Sequence, residues 1–221
     1  MRLRTGTAGT VMVPKTHWRL LGGGVACAVA LAGLVPRAAA RTYTIDSSRS
    51  RATIAVGKSG ALSFAAGHTH EVAVSAIAGK MTVDLADPGR SSVELTIDAS
   101  GLKVTGKGES ADDVPKVQET MVGPQVLDVR RFPTVTFAST SISATAKSAA
   151  ALDATVTGNL TLHGVTRPLT APVTVRVEGE TLTASGRLAV KQTDYGMKPV
   201  SVGGVVSVKD ALNISFTIVG R

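Results

Sequence analysis

Residues 67–70 read GHTH, inside the stretch ALSFAAGHTHEVAVSA. In an extended backbone alternate side chains point the same way, so His68 and His70 would share one side. A third histidine, His163, sits in LTLHGVT. Three neutral imidazoles are a ligand set that zinc or copper takes. The same residues would also serve as the polar lip of a binding pocket. A plainer reading ends a strand on them, hydrogen-bonded to backbone or to an acid such as Glu71. Two histidines at this spacing leave all three readings open. No cluster of Asp, Glu or His completes a metal set, and the supporting carboxylate that ligating histidines usually have is not legible. A high-affinity metal site is therefore not expected.

Other chemistry has less to stand on. The chain holds no G-x-S-x-G, no H-E-x-x-H and no Cys–His pair, so the common hydrolase signatures are missing. Asp112 and Asp113 lie where a helix begins, and capping explains them more simply than acid–base work. GKG at 106–108 is a glycine-rich turn without the helix signature of a phosphate loop. Asp194 and Tyr195 in KQTDYGMKP read as a polar patch or as a strand running into a turn. An enzyme is not expected.

The first forty residues have a basic start, an apolar run from Leu20 to Val35, and Ala38-Ala39-Ala40 before Arg41. That is the pattern of a secretory signal peptide cleaved near Ala40. The apolar run is short for a membrane span, which needs about 20 residues. The expected products are a leader over 1–40 and one mature domain over 41–221, periplasmic or secreted. The formal charge of +8 comes from 24 bases and 16 acids. Five of those bases and none of the acids lie in the leader, which leaves 19 against 16, or +3. Basic residues are not interleaved with aromatics, so no nucleic-acid partner is expected. Cys27, the single cysteine, also lies in the leader. The mature chain then has neither disulfide nor thiol chemistry, and its stability must come from burial and backbone pairing.

Period-2 alternation positions everything else. MTVDL at 81–85 puts Met81, Val83 and Leu85 on one face, with Thr82 and Asp84 opposite. VELTID, VTVRV, LTASGRLAV and ISFTI repeat the pattern, as half-buried antiparallel strands do. Strands are predicted at 42–56, 61–66, 70–85, 92–99, 134–145, 151–163, 170–178, 181–192 and 205–219. ADPGR, VEGE and VGG read as turns between them. One segment, 110–133, lacks alternation. There Asp112 or Asp113 can cap a helix with Pro115 in its first turn, and Val114, Val117 and Met121 fall at helical spacing. The coarse picture is all-β, a barrel or sandwich with one helical interruption. Its interior would be built from slender Val, Leu, Ile, Ala and Thr. Such an interior either packs tightly or leaves an elongated apolar tunnel.

Four ordered segments, YTIDSSRS, RRFPTVTFASTSI, VTGNLTLHGVTRPL and KQTDYGMKPV, together resemble the YceI-like family of secreted proteins. The resemblance runs from about Tyr43 to Gly220. It implies an antiparallel lipocalin-like β-barrel with one short helical insertion, over 112–130. It also implies that the apolar interior holds a long polyisoprenoid, quinone-like molecule or similar amphiphilic lipid, with transient membrane contact and no other cofactor. On that expectation Phe64, Phe137, Ala184 and Phe216 belong to the wall around the tail. His68, His70 and His163 are then the polar candidates for the headgroup. The competing classes are a histidine-based metal- or haem-binding protein of redox or stress defence, and a structural module without ligand.

Overall fold

The computed structural model describes residues 40–59, 69–148, 150–202 and 206–221. The predicted leader, the strand expected at 61–66, Phe64 and His68 lie outside the described residues. Among the described residues twelve strands and one α-helix follow in chain order. They are β1 (Arg41–Thr44), β2 (Arg51–Ser59), β3 (His70–Val74), β4 (Ile77–Val83), β5 (Ser92–Asp98) and β6 (Lys103–Val104). After helix α1 (Val114–Val122) come β7 (Thr134–Ser148), β8 (Ala151–Leu162), β9 (Val165–Glu178), β10 (Thr181–Lys191), β11 (Ser201–Val202) and β12 (Val206–Gly220).

All pairings are antiparallel, in the order β1-β4-β5-β7-β8-β9-β10-β12-β2-β3-β6, with β11 on β12. The short strands are halves of longer, kinked ones. β1 pairs β4 and β2 pairs β3, so 41–59 lies along 70–83 throughout. β5 pairs β4 and β6 pairs β3, so 92–104 lies along the other side of 70–83. Counting each kinked pair as one strand gives a ring of eight. The ring shuts where Ile45 bridges Gly220 and where Thr44 and Arg221 exchange backbone hydrogen bonds of 2.8 and 3.0 Å. This is the all-β, lipocalin-like barrel with one helix that the alternation and the resemblance called for.

Sequence reading and structure part at the kinks. The strand expected at 42–56 is interrupted over 45–50, where the chain turns at Asp46–Arg49. A kink of this kind would strip Val219 on β12 of its ladder partner. Ser50 replaces it. The buried Ser50 hydroxyl accepts from Val219 N–H at 3.0 Å and sits 3.3 Å from Val219 O, while Asp46 N–H donates to the same carbonyl at 2.8 Å. The expected strand at 70–85 breaks at Ser75–Ala76 and ends at Val83. Beyond Val83 the parity is the reverse of the alternation read above, with Asp84 3% exposed and Leu85 47% exposed. The cause is local: the Asp84 carboxylate accepts from the N–H groups of Ala86 and Asp87 and holds the turn. An Asx turn fixes backbone more strongly than one leucine's burial does.

Inward positions along the long strands are Leu212, Ile214, Phe216 and Ile218 on β12, and Leu182, Ala184, Leu188 and Val190 on β10. On β7 the inward set changes parity, from Val135 and Phe137 to Ile142 and Ala144. The register shift between Ser139 and Ser141 accounts for this, because one extra residue moves every later side chain to the other face. The Ser139 hydroxyl, freed by the bulge, accepts from Val93 N–H on β5 at 2.8 Å.

Helix α1 covers the end of the barrel where β6 leaves β7. Pro115 fits its first turn, where no helical N–H is required. Asp113 occupies the position before the helix, as expected, but its carboxylate caps no helical N–H. It takes the Ser110 hydroxyl at 2.7 Å and the Lys116 ammonium at 3.1 Å instead. Val114, Val117 and Met121 pack against the core, on the face their spacing gives them. Gln118 fixes the docking: its Oε1 accepts from Val104 N–H at 2.9 Å, and its Nε2 donates to Leu102 O at 3.0 Å. One side-chain amide thus takes the place of a neighbouring strand on β6. Among the described residues no helix is long and apolar enough to cross a membrane.

Candidate functional site

The barrel interior holds two adjoining hollow stretches. The larger, of about 720 Å³, lies at the α1 end, and a smaller one of about 200 Å³ lies toward the opposite end. Native interiors close-pack and leave few voids larger than a water molecule. The larger volume instead falls in the range of ligand sites, about 300–1,000 Å³. Ala52, Ile97, Val135, Leu160 and Ile214 border both stretches and form the waist between them. No charged residue lines the smaller stretch among the described residues. Its walls include Phe137, Ala184 and Phe216, three of the positions expected to contact a ligand tail.

The two phenylalanines reach inward over glycines. A Cβ on Gly158 would meet the Ala138 carbonyl oxygen as well as the Phe137 ring, the latter at 2.5 Å, and one on Gly186 would meet the Pro172 carbonyl oxygen at 2.5 Å and the Phe216 ring at 2.7 Å. Phe216 lies directly across the β10–β12 ladder from Gly186. Each ring therefore occupies the space of an absent side chain on the neighbouring strand. Ala184 adds no bulk, and the interior beside it stays open.

The polar groups gather at the α1 end. His70 opens β3 opposite Val56, with its side chain turned inward to the larger stretch. Its Nδ1 lies 2.7 Å from Glu109 Oε1. The His70 side chain is 16% exposed and that of Glu109 only 3%. Glu71, next along β3, faces the other way. It accepts from Thr105 Oγ1 at 3.3 Å and from Lys107 Nζ at 3.2 Å. Adjacent residues of one strand thus grip the 105–109 loop from opposite faces, and Glu71 is not the histidine's partner. The loop turns through a 3.1 Å bond from Glu109 N–H to Gly106 O, which aims the Glu109 carboxylate back toward the barrel.

Glu109 Oε2 is buried without a hydrogen-bond partner among the described residues. Lys58, Ser110, Asp113, Lys116, Thr120, Gln192 and Ser207 are the other polar residues lining the same stretch. The hydrogen bond from the Ser110 hydroxyl, helped by the Lys116 ammonium, holds the Asp113 carboxyl below its usual range.

His163 does not join this group. It sits with Gly164 in the two-residue turn between β8 and β9, where Leu162 pairs Val165. Both turn residues have positive φ, 51° and 75°, the signature of the tight hairpin turn that suits twisted strands. Its Nδ1 lies 3.1 Å from Tyr195 O, and its ring meets the edge of Phe132 with centroids 4.6 Å apart. His163 is a turn residue and is not among the residues lining either stretch. No three His, Cys, Asp or Glu side chains come together among the described residues.

Sequence reading missed Glu109, the most buried acid of the site. The signal available was slight: one acid in a loop flanked by Gly106 and Gly108, with no period to give it a side. Lys58 on β2 and Lys116 on α1 were not singled out, and Asp113 was read only as a helix cap.

The comparisons agree with this architecture. A family model described as the YceI-like domain matches residues 43–220. Among solved structures, BcnA of Burkholderia cenocepacia superposes with a TM-score of 0.62 at 22% identity, covering 80% of this chain and 99% of that one. A polyisoprenoid binding domain from Saccharophagus degradans gives a TM-score of 0.57 at 13% identity, covering 81% and 97%. A UPF0312 protein of Enterobacter sp. (strain 638) is 31% identical over 143 residues, 59% of this chain and 68% of that one. Protein YceI of Salmonella arizonae is 29% identical over the same shares.

Proposed function

The chain belongs to the YceI-like domain family, and from that premise and its hollow interior we propose that it binds one amphiphilic lipid with a long isoprenoid-like tail, as an exported carrier in the periplasm or outside the cell. The observation that carries this reading is that two apolar stretches lie end to end inside the barrel and share the wall residues of the waist. A long unbranched or methyl-branched chain fits such a space, and a compact polar metabolite does not. Burial would supply the affinity, at about 0.8 kcal/mol for each CH₂ removed from water. The similar Saccharophagus domain is described as polyisoprenoid binding, which supports the same ligand class. Export is supported by the leader-like sequence before Arg41.

Native mass spectrometry of protein purified without detergent tests the reading directly. The expected result is an added mass of one lipid per chain. Titration with a fluorescent polyene should saturate at the same ratio. An empty spectrum, with no saturable binding across several chain lengths, would leave a structural module as the better description. For export, the N-terminal sequence of the extracytoplasmic protein is expected to begin near Arg41.

A further inference from the structure

The orphaned oxygen of Glu109 specifies the head of the ligand. The contact of 2.7 Å between His70 Nδ1 and Glu109 Oε1 needs one proton between the two atoms. If the imidazole holds it, Glu109 is a carboxylate and both of its oxygens accept. If Oε1 holds it, Oε2 is the carbonyl oxygen of the acid and again only accepts. With the proton on either of those two atoms, Oε2 only accepts and requires a donor. It is buried, it belongs to a side chain that lines the larger stretch, and it has no partner among the described residues. Buried polar atoms in native proteins are nearly always paired, so a group that supplies the donor is the expected occupant.

We infer that Glu109 Oε2 accepts a hydrogen bond from the ligand, so that the cavity selects a neutral lipid whose head carries a hydroxyl, an alcohol or a phenol, over the corresponding ether, carboxylate or phosphate. This rests on the lipid-binding reading above and adds the chemistry of the head. An ether oxygen has no proton to offer. A carboxylate or phosphate brings further lone pairs and negative charge against Oε2. The margin of the cavity does not offset that charge. Lys116 is engaged by Asp113 at 3.1 Å, and the two lysines at this end are matched by two acids, Glu109 and Asp113. His70 orients Glu109, and the His70–Glu109 pair holds the acceptor where the apolar tail begins.

The test measures three C20 prenyl compounds with the same tail by displacement of a bound fluorescent polyene: the free alcohol, its methyl ether and its monophosphate. In the natural protein the alcohol is expected to bind on the order of tenfold more tightly than the ether, the worth of a hydrogen bond to an ionised or strongly polar acceptor. The phosphate is expected to bind more weakly than both. Glu109→Gln keeps the shape but places an amide where the acceptor stood. The alcohol-to-ether ratio should then fall to about twofold or less, with the ether's own affinity little changed. Equal affinity for alcohol and ether in the natural protein overturns the inference, and that comparison needs no variant. A ratio that survives Glu109→Gln, or a phosphate that binds tightest, overturns it as well. If none of the three displaces the probe and the probe itself does not saturate, the lipid-binding reading falls and takes this one with it.

Discussion

The ring of Phe137 on β7 fills the space that a side chain on Gly158 of β8 would need. Packing across this pair is therefore set by a glycine as much as by a phenylalanine. Gly158→Ala should cost about 1–3 kcal/mol, the usual range for overpacking. Phe137→Ala should cost about 3 kcal/mol, the low end for a phenylalanine, since its ring borders open space. Together the two changes should cost somewhat less than their sum, because losing the ring relieves its share of the crowding while the Ala138 carbonyl oxygen still crowds the alanine Cβ. Urea denaturation of the four proteins measures this coupling, and strict additivity would show that the ring does not rest on Gly158.

Ala52 sits at the waist between the two stretches of the cavity. A phenylalanine there should close the passage while leaving the larger stretch intact. The expected outcome of Ala52→Phe is a cut-off in chain length, with short prenyl tails bound nearly as before and long ones excluded. Ala184→Phe fills the smaller stretch from farther along and should act in the same direction. Titration with a series of tail lengths measures both. Loss of the short tails as well would mean that the substitution deforms the barrel.

Gln118 holds α1 to β6 through two hydrogen bonds. Gln118→Leu keeps the apolar bulk and removes both, leaving Val104 N–H and Leu102 O without that partner. The loss should be about 1–3 kcal/mol. Hydrogen exchange should rise across 114–122 and stay low in β8 and β9. A uniform rise would mean that the helix is no separate unit of stability.

Asp210 on β12 accepts from Thr193 N–H at 2.9 Å and from the Thr193 hydroxyl at 2.7 Å, and these bonds hold its carboxyl below the usual range. The unfolded value for aspartate is about 3.9. A carboxyl depressed on folding stabilises the fold fully above that value and ceases to do so as the pH falls through the lower folded value. Stability should accordingly decline on acidification below about pH 4. Asp210→Asn should flatten part of that decline and be more destabilising near neutrality than at pH 2–3. Asp46, Asp98, Asp113 and Asp153 are lowered in the same direction by their own hydrogen bonds, so the slope should not vanish. Urea midpoints measured across that pH range decide it.

The barrel was legible wherever side chains alternate without interruption. ISFTI on β12 and LTASGRLAV on β10 declared their inner faces because nothing local competes with the period of two. The kinks were not legible, since they depend on hydroxyls and carboxylates that turn backbone: Ser50 bridging to Val219, Asp84 closing a turn, Ser139 beside a bulge. The site divides in the same way. Phe137, Ala184 and Phe216 could be placed on the inner face because a strand assigns their side, and they line the smaller stretch. Glu109 was not, since its loop is placed by Glu71 and His70, residues nearly forty positions earlier in the chain. His163 was read for its ring, whereas its position before Gly164, between two alternating runs, is the stronger signal and marks a hairpin turn.

The bonds that shut the ring join the first strand of the domain to its last: Thr44 to Arg221, Ser50 to Val219. Whenever the chain is made or threaded through a pore from its N-terminal side, these pairs form after everything between them has emerged. Until then the strands on either side of the closure lack their last partners, and an unpaired strand edge is prone to pair with a stranger. Contacts so distant in sequence also slow the final step. Completing the barrel and acquiring a hydrophobic cargo would then compete in time, and a lipid already inside the unclosed sheet would be sealed in by the last strand rather than admitted through a door.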